Sequence, residues 1–96
     1  MFYTNENNMN NTFETKDKYI APFLFTQPDI TFIGNRTVEH RVIFQFIPLD
    51  RCMYLTNLFM TKKAPLVQPK DLLEAVETYK DIVFEMKDKD EKYERK

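Results

Sequence analysis

Strand-type alternation is confined to two segments of this chain, Ile30–Arg36 and Arg41–Ile47, and that scarcity limits what it can fold into. In the second segment Val42, Phe44 and Phe46 point one way and Ile43, Gln45 and Ile47 the other. Both sets are largely apolar, so this strand is expected to be covered on both sides. Thr37-Val38-Glu39-His40 reads as the connecting turn, and Gly34-Asn35 as a bulge or an earlier turn.

Two strands alone make a poor sheet. A lone hairpin is marginal in water, and its edges present unpaired backbone groups. Either Thr12-Phe13-Glu14 or Phe2-Tyr3-Thr4 adds a third strand, or two copies pair hairpin to hairpin across a two-fold axis. The second repair accounts for a strand apolar on both faces. It makes a homodimer the expected state, with Phe2, Tyr3, Ile43 and Ile47 as candidate oligomer contacts.

Helical patterns flank the hairpin. Thr15 reads as a cap for a segment in which Tyr19, Ile20, Phe23 and Leu24 share a face. Pro22 inside that segment predicts a kink or a later start, because proline removes a hydrogen bond and clashes with the preceding turn. Asp50 reads as the cap of a second helix with Cys52, Leu55, Leu58 and Phe59 as its buried stripe, widened by Met53, Tyr54 and Met60. Lys62 and Lys63 close it, their charge suiting a helix C-terminus. Pro69 opens a third helix, in which Leu72, Ala75, Val76, Tyr79, Ile82, Val83 and Met86 recur at three- and four-residue steps.

The expected architecture is therefore α+β, in the order helix, strand, strand, helix, helix. A small two- or three-stranded antiparallel sheet packs on the helices and is extended across a homodimer if copies pair. The expected organisation is an Asn-rich flexible arm (1–11), one domain (12–86) and a charged tail or helix extension (87–96).

Several chemistries are excluded by counting. One glycine, Gly34, cannot build a phosphate-binding loop. One cysteine, Cys52, cannot form an internal disulfide or a cysteine zinc site, and it reads as a small core residue. The one histidine, His40, falls in the turn, on a different element from Cys52, and reads as a solvated polar residue. No metal-ligand spacing and no convergent pair of carboxylates stands out, so no catalytic residue, metal or cofactor is expected. No stretch is long and apolar enough to span a membrane. With no leader pattern and no disulfide framework, a cytoplasmic location is expected.

The strings Phe13-Glu14-Thr15-Lys16-Asp17-Lys18-Tyr19-Ile20-Ala21, Val42-Ile43-Phe44-Gln45-Phe46, and Val67-x-Pro69 followed by Tyr79-Lys80-Asp81-Ile82-Val83-Phe84 occur in that order. They resemble a small family of uncharacterised bacterial and phage proteins. That family has a Phe-x-Thr-Lys-Asp-Leu-Tyr-Leu-Ala opening and a Val-x-Phe-x-Phe strand. The resemblance covers roughly residues 13–84, and Pro22 departs from the family's usual Ala or Ser. It implies a bacterial or phage origin (the host cytoplasm if phage-encoded), a standalone small domain and no catalytic residues. The family has no established activity to carry over.

Two functions fit these residues. The first is a non-catalytic protein-interaction module, adaptor or inhibitor, self-associating and with an unidentified protein partner. The heavy aromatic content, nine Phe and five Tyr, and the net charge of −1 favour it. The second is an accessory protein for single-stranded nucleic acid, which needs cations beside aromatic stacking platforms. Its candidates are Arg36, Arg41, Lys62, Lys63 and Tyr54, with Phe32 and Phe44 as further aromatics.

Overall fold

The computed structural model describes the backbone of residues 11–94 and the side chains of residues 11–87. In chain order come strand β1 (Phe13–Thr15), helix α1 (Ile20–Phe25), strands β2 (Thr31–Val38) and β3 (Arg41–Ile47), and helices α2 (Leu49–Met60) and α3 (Pro69–Glu94). The strands form one antiparallel sheet in the order β1-β3-β2. This is the expected α+β class, with the third strand drawn from the segment just before α1. Phe2 and Tyr3 lie outside the described residues.

Register explains the sheet's two faces. Phe13 pairs with Phe46 and Thr15 with Phe44 on one side of β3, and Phe32 pairs with Phe46 on the other. These residues share a face with Val42, and Phe44 and Phe46 are completely buried there. The opposite face carries Glu14, Arg36, Arg41, Ile43, Gln45 and Ile47, all exposed or half-buried. Within one chain, β3 is therefore covered by helices on one side. Among the described residues the helices cover one face only, and polar side chains on β1 and β2 screen the other.

Bulge and turn chemistry set that register. Gly34 follows a register shift at Phe32/Gly34, so the bulge reading holds and no earlier turn forms. Its φ is +146°, a region that side chains disfavour, although a Cβ would meet only Gln45 Oε1 at 3.8 Å. Conformation rather than space therefore demands glycine. The hairpin closes on two residues, Glu39 and His40, with φ of +50° and +69°. Positive φ at both central positions is what a tight hairpin needs to match strand twist.

Helix α1 begins later than a Thr15 cap would place it. Thr15 is the last residue of β1, and its Oγ1 accepts the Asp17 amide at 3.1 Å. Asp17 does the capping: its Oδ1 accepts the Tyr19 and Ile20 amides at 2.7 and 2.9 Å. Pro22 is the third residue of the helix, in the first turn where proline is tolerated, and the bonds on either side of it are made, from the Ala21 amide to Asp17 O at 3.1 Å and from the Phe23 amide to Tyr19 O at 3.2 Å. Asp50 is likewise not a cap. The N-cap of α2 is Pro48, Asp50 lies in the first turn, and Asn11 Oδ1 accepts the Leu49 amide at 3.2 Å from outside the helix. Asn11, read as part of the arm, is thereby attached to the domain.

All three helices meet the same sheet face. Ile20, Ala21, Phe23 and Leu24 of α1 join Val42, Phe44 and Phe46 of β3 and Cys52 and Leu55 of α2 in one core. Phe25 touches Phe32, Phe44 and Phe46 with ring centroids 4.9, 6.1 and 5.4 Å away. From α3, Tyr79 stacks on Phe44 at 5.0 Å. Such pairs add roughly 0.5–1.5 kcal/mol each beyond area burial. The α2 stripe is narrower than expected, because Met53, Tyr54 and Met60 are exposed. Helix α3 continues to Glu94, so the charged segment extends the helix.

Helix α2 ends in a Schellman arrangement. The Lys63 amide donates to Leu58 O at 2.8 Å and the Lys62 amide to Phe59 O at 3.1 Å, with Lys62 at φ +64°. Two opposite stability changes follow from the backbone. Lys62→Gly relieves a left-handed residue and is expected to stabilise the domain by about 1 kcal/mol. Gly34→Ala is expected to destabilise it by about 1–3 kcal/mol. Urea unfolding followed by far-UV circular dichroism reads both signs.

Candidate functional site

The cationic candidates fall on two parts of the molecule. Arg36 and Arg41 belong to the sheet, while Tyr54, Lys62 and Lys63 lie on or just after α2. Arg36 is engaged: its Nε and Nη2 donate to Glu14 Oε2 and Oε1 at 2.8 and 2.7 Å. Gln45 Nε2 adds a bond to Glu14 Oε2 at 2.8 Å, so one carboxylate ties all three strands together across the open face. The Arg36 guanidinium holds the Glu14 carboxyl down at about 2, and Gln45 adds to this while burial opposes it. Ile43 and Ile47 lie half-buried on this face.

Arg41 is exposed and lines a broad cleft with Lys16, Asp17, Tyr79 and Lys87. Tyr79 forms part of that cleft, its hydroxyl pushed up by burial and by Asp17. Tyr54 is exposed on α2, with the Arg51 guanidinium 5.2 Å from its ring centre. Arg51 also pairs with Asp29. Phe44 is in the core and Phe32 is packed against it, so neither offers a stacking face to a base. Cys52 is completely buried, and desolvation first, then Asp29 and Asp50, push its thiol up to about 11. A thiol so placed stays protonated and inert. Among the described residues, no three of His, Cys, Asp or Glu are grouped to hold a metal ion. No helix there is long and apolar enough to cross a membrane.

The most distinctive surface is one that the sequence patterns do not single out. Where α1, the end of α2 and the start of α3 meet, they leave an apolar groove of about 340 Å³. Tyr19, Pro22 and Phe23 form one wall, Leu72 and Val76 of α3 another, and the connector Ala64–Val67 with Phe59 closes it. The Phe23 and Phe59 rings meet at 5.1 Å with their planes tilted by 32°, a contact between α1 and α2. The Asp17 cap sets the entry angle of α1 and so the position of Tyr19. The Schellman turn reverses the chain after α2, and Pro65 and Pro69 restrict the connector that follows.

This groove is open to solvent. Leu66 is fully exposed, Tyr19 is 62% exposed and Leu72 39%. Small proteins seldom leave apolar side chains adjacent in a concavity unless something fills it. Lys18 is the only charged residue of the lining, its Nζ 5.3 Å above the Tyr19 ring centre, and Lys62 and Lys63 lead directly into Ala64. Asp71 and Glu74 line a different, smaller cleft with Phe25, Thr26 and Thr78. The sequence signal for the groove was the run Ala64-Pro65-Leu66-Val67, apolar chain between two helices where a polar loop is usual.

Comparison with protein families, with curated proteins and with solved structures found no match.

The Glu14 clamp has a pH signature. Its carboxyl is depressed on folding, so its contribution is fully present above the unfolded value of roughly 4.3 and is lost as pH falls toward about 2. Glu14→Gln is expected to lower the melting temperature by a few degrees at neutral pH. The gap from the wild type should shrink through that acid window, as followed by thermal denaturation at stepped pH. A gap that stays constant down to the lowest pH would contradict the clamp.

Proposed function

We propose that this chain is a small, non-catalytic protein-interaction module, of the adaptor or inhibitor type. It receives an apolar segment of a partner protein in the groove between α1, the α2–α3 connector and α3. One observation carries this reading: Tyr19, Leu66 and Leu72 stand exposed around a concave, apolar lining assembled from separate elements. A concavity takes up individual side chains, and a lining without its own polar partners favours apolar ones. The near-neutral net charge of −1 is consistent with recognition by shape and apolar contact.

Self-association belongs to the same reading and uses a different surface. β2 is an eight-residue edge strand, with Ile33 48% and Val38 39% exposed, and Ile43 and Ile47 lie on the adjoining open face. Two copies joined along β2 would pair those edge groups. Sedimentation equilibrium across protein concentrations decides this part, and a strictly monomeric mass throughout would remove it without touching the groove.

The groove is tested by selecting a random displayed peptide library on the purified chain. Enriched peptides are expected to share apolar anchors. Leu66→Asp should weaken them about tenfold or more, and because Leu66 is fully exposed this change leaves the core intact. Failure to enrich any sequence, or enriched peptides indifferent to both Leu66→Asp and Tyr19→Ser, would overturn the reading.

A further inference from the structure

Resting on that docking role, we infer that the segment received is acidic: a short peptide whose apolar anchors enter the groove and whose flanking Asp or Glu side chains meet Lys18, Lys62 and Lys63. The inference comes from which charges around the groove are already used and which are not.

Carboxylates near the groove are committed elsewhere. Asp17, next to Lys18, accepts the amides of Tyr19 and Ile20 on its Oδ1. Asp71 and Glu74 line the separate cleft beside Phe25, and Lys70 stands 3.9 Å from Glu74. The helix geometry requires this division. Leu72 and Val76 are four residues apart and share one side of α3, so Asp71, Glu74 and Thr78 are turned toward another. The cations are different. Lys18 lies on Tyr19 at the lining, and Lys62 and Lys63 follow the end of α2 and lead into the connector that closes the groove. Both lysines use their backbone amides to end the helix, which leaves the side chains directed by solvent and by any bound charge.

The one charged side chain of the lining, Lys18, is therefore a cation, and two more cations, Lys62 and Lys63, immediately precede the connector, on a molecule whose net charge is −1. Complementary charge at a rim steers encounter and rejects partners of the wrong sign. A basic segment would meet three like charges there, and an acidic one would meet none of the chain's lining carboxylates. A concave slot also suits a peptide better than a bilayer, which would require a protruding apolar face.

The test uses two labelled synthetic peptides with the same apolar positions, one with Glu and the other with Lys at the positions between them. Fluorescence anisotropy with the full chain is read at about 50 and about 200 mM salt, since screening lengthens or shortens the reach of the rim charges. The acidic peptide is expected to bind about tenfold tighter or more at the lower salt. Its advantage should narrow at the higher salt and vanish in a Lys18→Gln, Lys62→Gln, Lys63→Gln variant that keeps the wild-type circular dichroism spectrum. Equal binding of the two peptides, or a preference that survives the triple variant, overturns the acidic assignment. Binding to phosphatidylglycerol vesicles with no binding to either peptide also overturns it. If neither designed peptide binds but library-selected peptides do, the charge assignment fails and the docking role stands. If no peptide of any kind binds, both fail together.

Discussion

Phe44 and Phe46 sit on a seven-residue strand, and each is completely buried by aromatic and aliphatic side chains from elements that are distant in sequence. Phe25 reaches both from α1, Phe32 reaches both from β2, and Tyr79 covers Phe44 from α3. Burying such rings contributes more per residue than any other contact available to a domain of this size. Removing either ring would cost about 3–5 kcal/mol, a large part of the total stability of a small domain. The position of each helix follows from how it covers this one strand face.

Covering a single face has consequences on both sides of the sheet. On the outer side the strands need another bond, and Glu14 supplies it by accepting from Arg36 and Gln45. On the inner side three helices converge on a sheet only three strands wide. All three contribute to the aromatic cluster and its surroundings, but α1 has six residues against the 26 of α3 and covers only part of it. The groove lies where α1, the end of α2, the connector and the start of α3 meet. Its apolar lining continues the core outward, with Phe23 belonging to both.

Much of this was legible in the sequence, for physical reasons that can be named. The alternation of Val42, Phe44 and Phe46 gave the central strand, and the three- and four-residue spacing from Leu72 to Met86 gave α3, because those periods follow directly from backbone geometry. The third strand emerged from the problem of unpaired edges. What the sequence concealed depended on contacts between distant residues. Glu14 reads as an ordinary surface acid until Arg36 and Gln45 are brought to it by register. Asn11 looks like loop chain until it accepts the Leu49 amide. Thr15 and Asp50 had the right chemistry for caps but the wrong place: α1 starts after Tyr19, with Asp17 accepting its first amides from two residues upstream, and Pro48 holds the N-cap of α2. Arg36 and Phe44 matched a nucleic-acid pattern by type, and tertiary structure spent one on an ion pair and the other on the core. The groove was the least legible feature, because Tyr19, Leu66 and Leu72 share no period and meet only through the turn after α2.

The groove between α1, the α2–α3 connector and α3 is apolar and open to solvent in the free protein. The most direct measurement is a two-dimensional NMR titration of the isotope-labelled chain with small apolar probes such as phenol and isobutanol. Saturable shifts concentrated on Phe59, Leu66, Leu72 and Val76, with β3 unaffected, are expected. Shifts absent from those residues, or gathered instead on the open sheet face around Ile43 and Ile47, would contradict it.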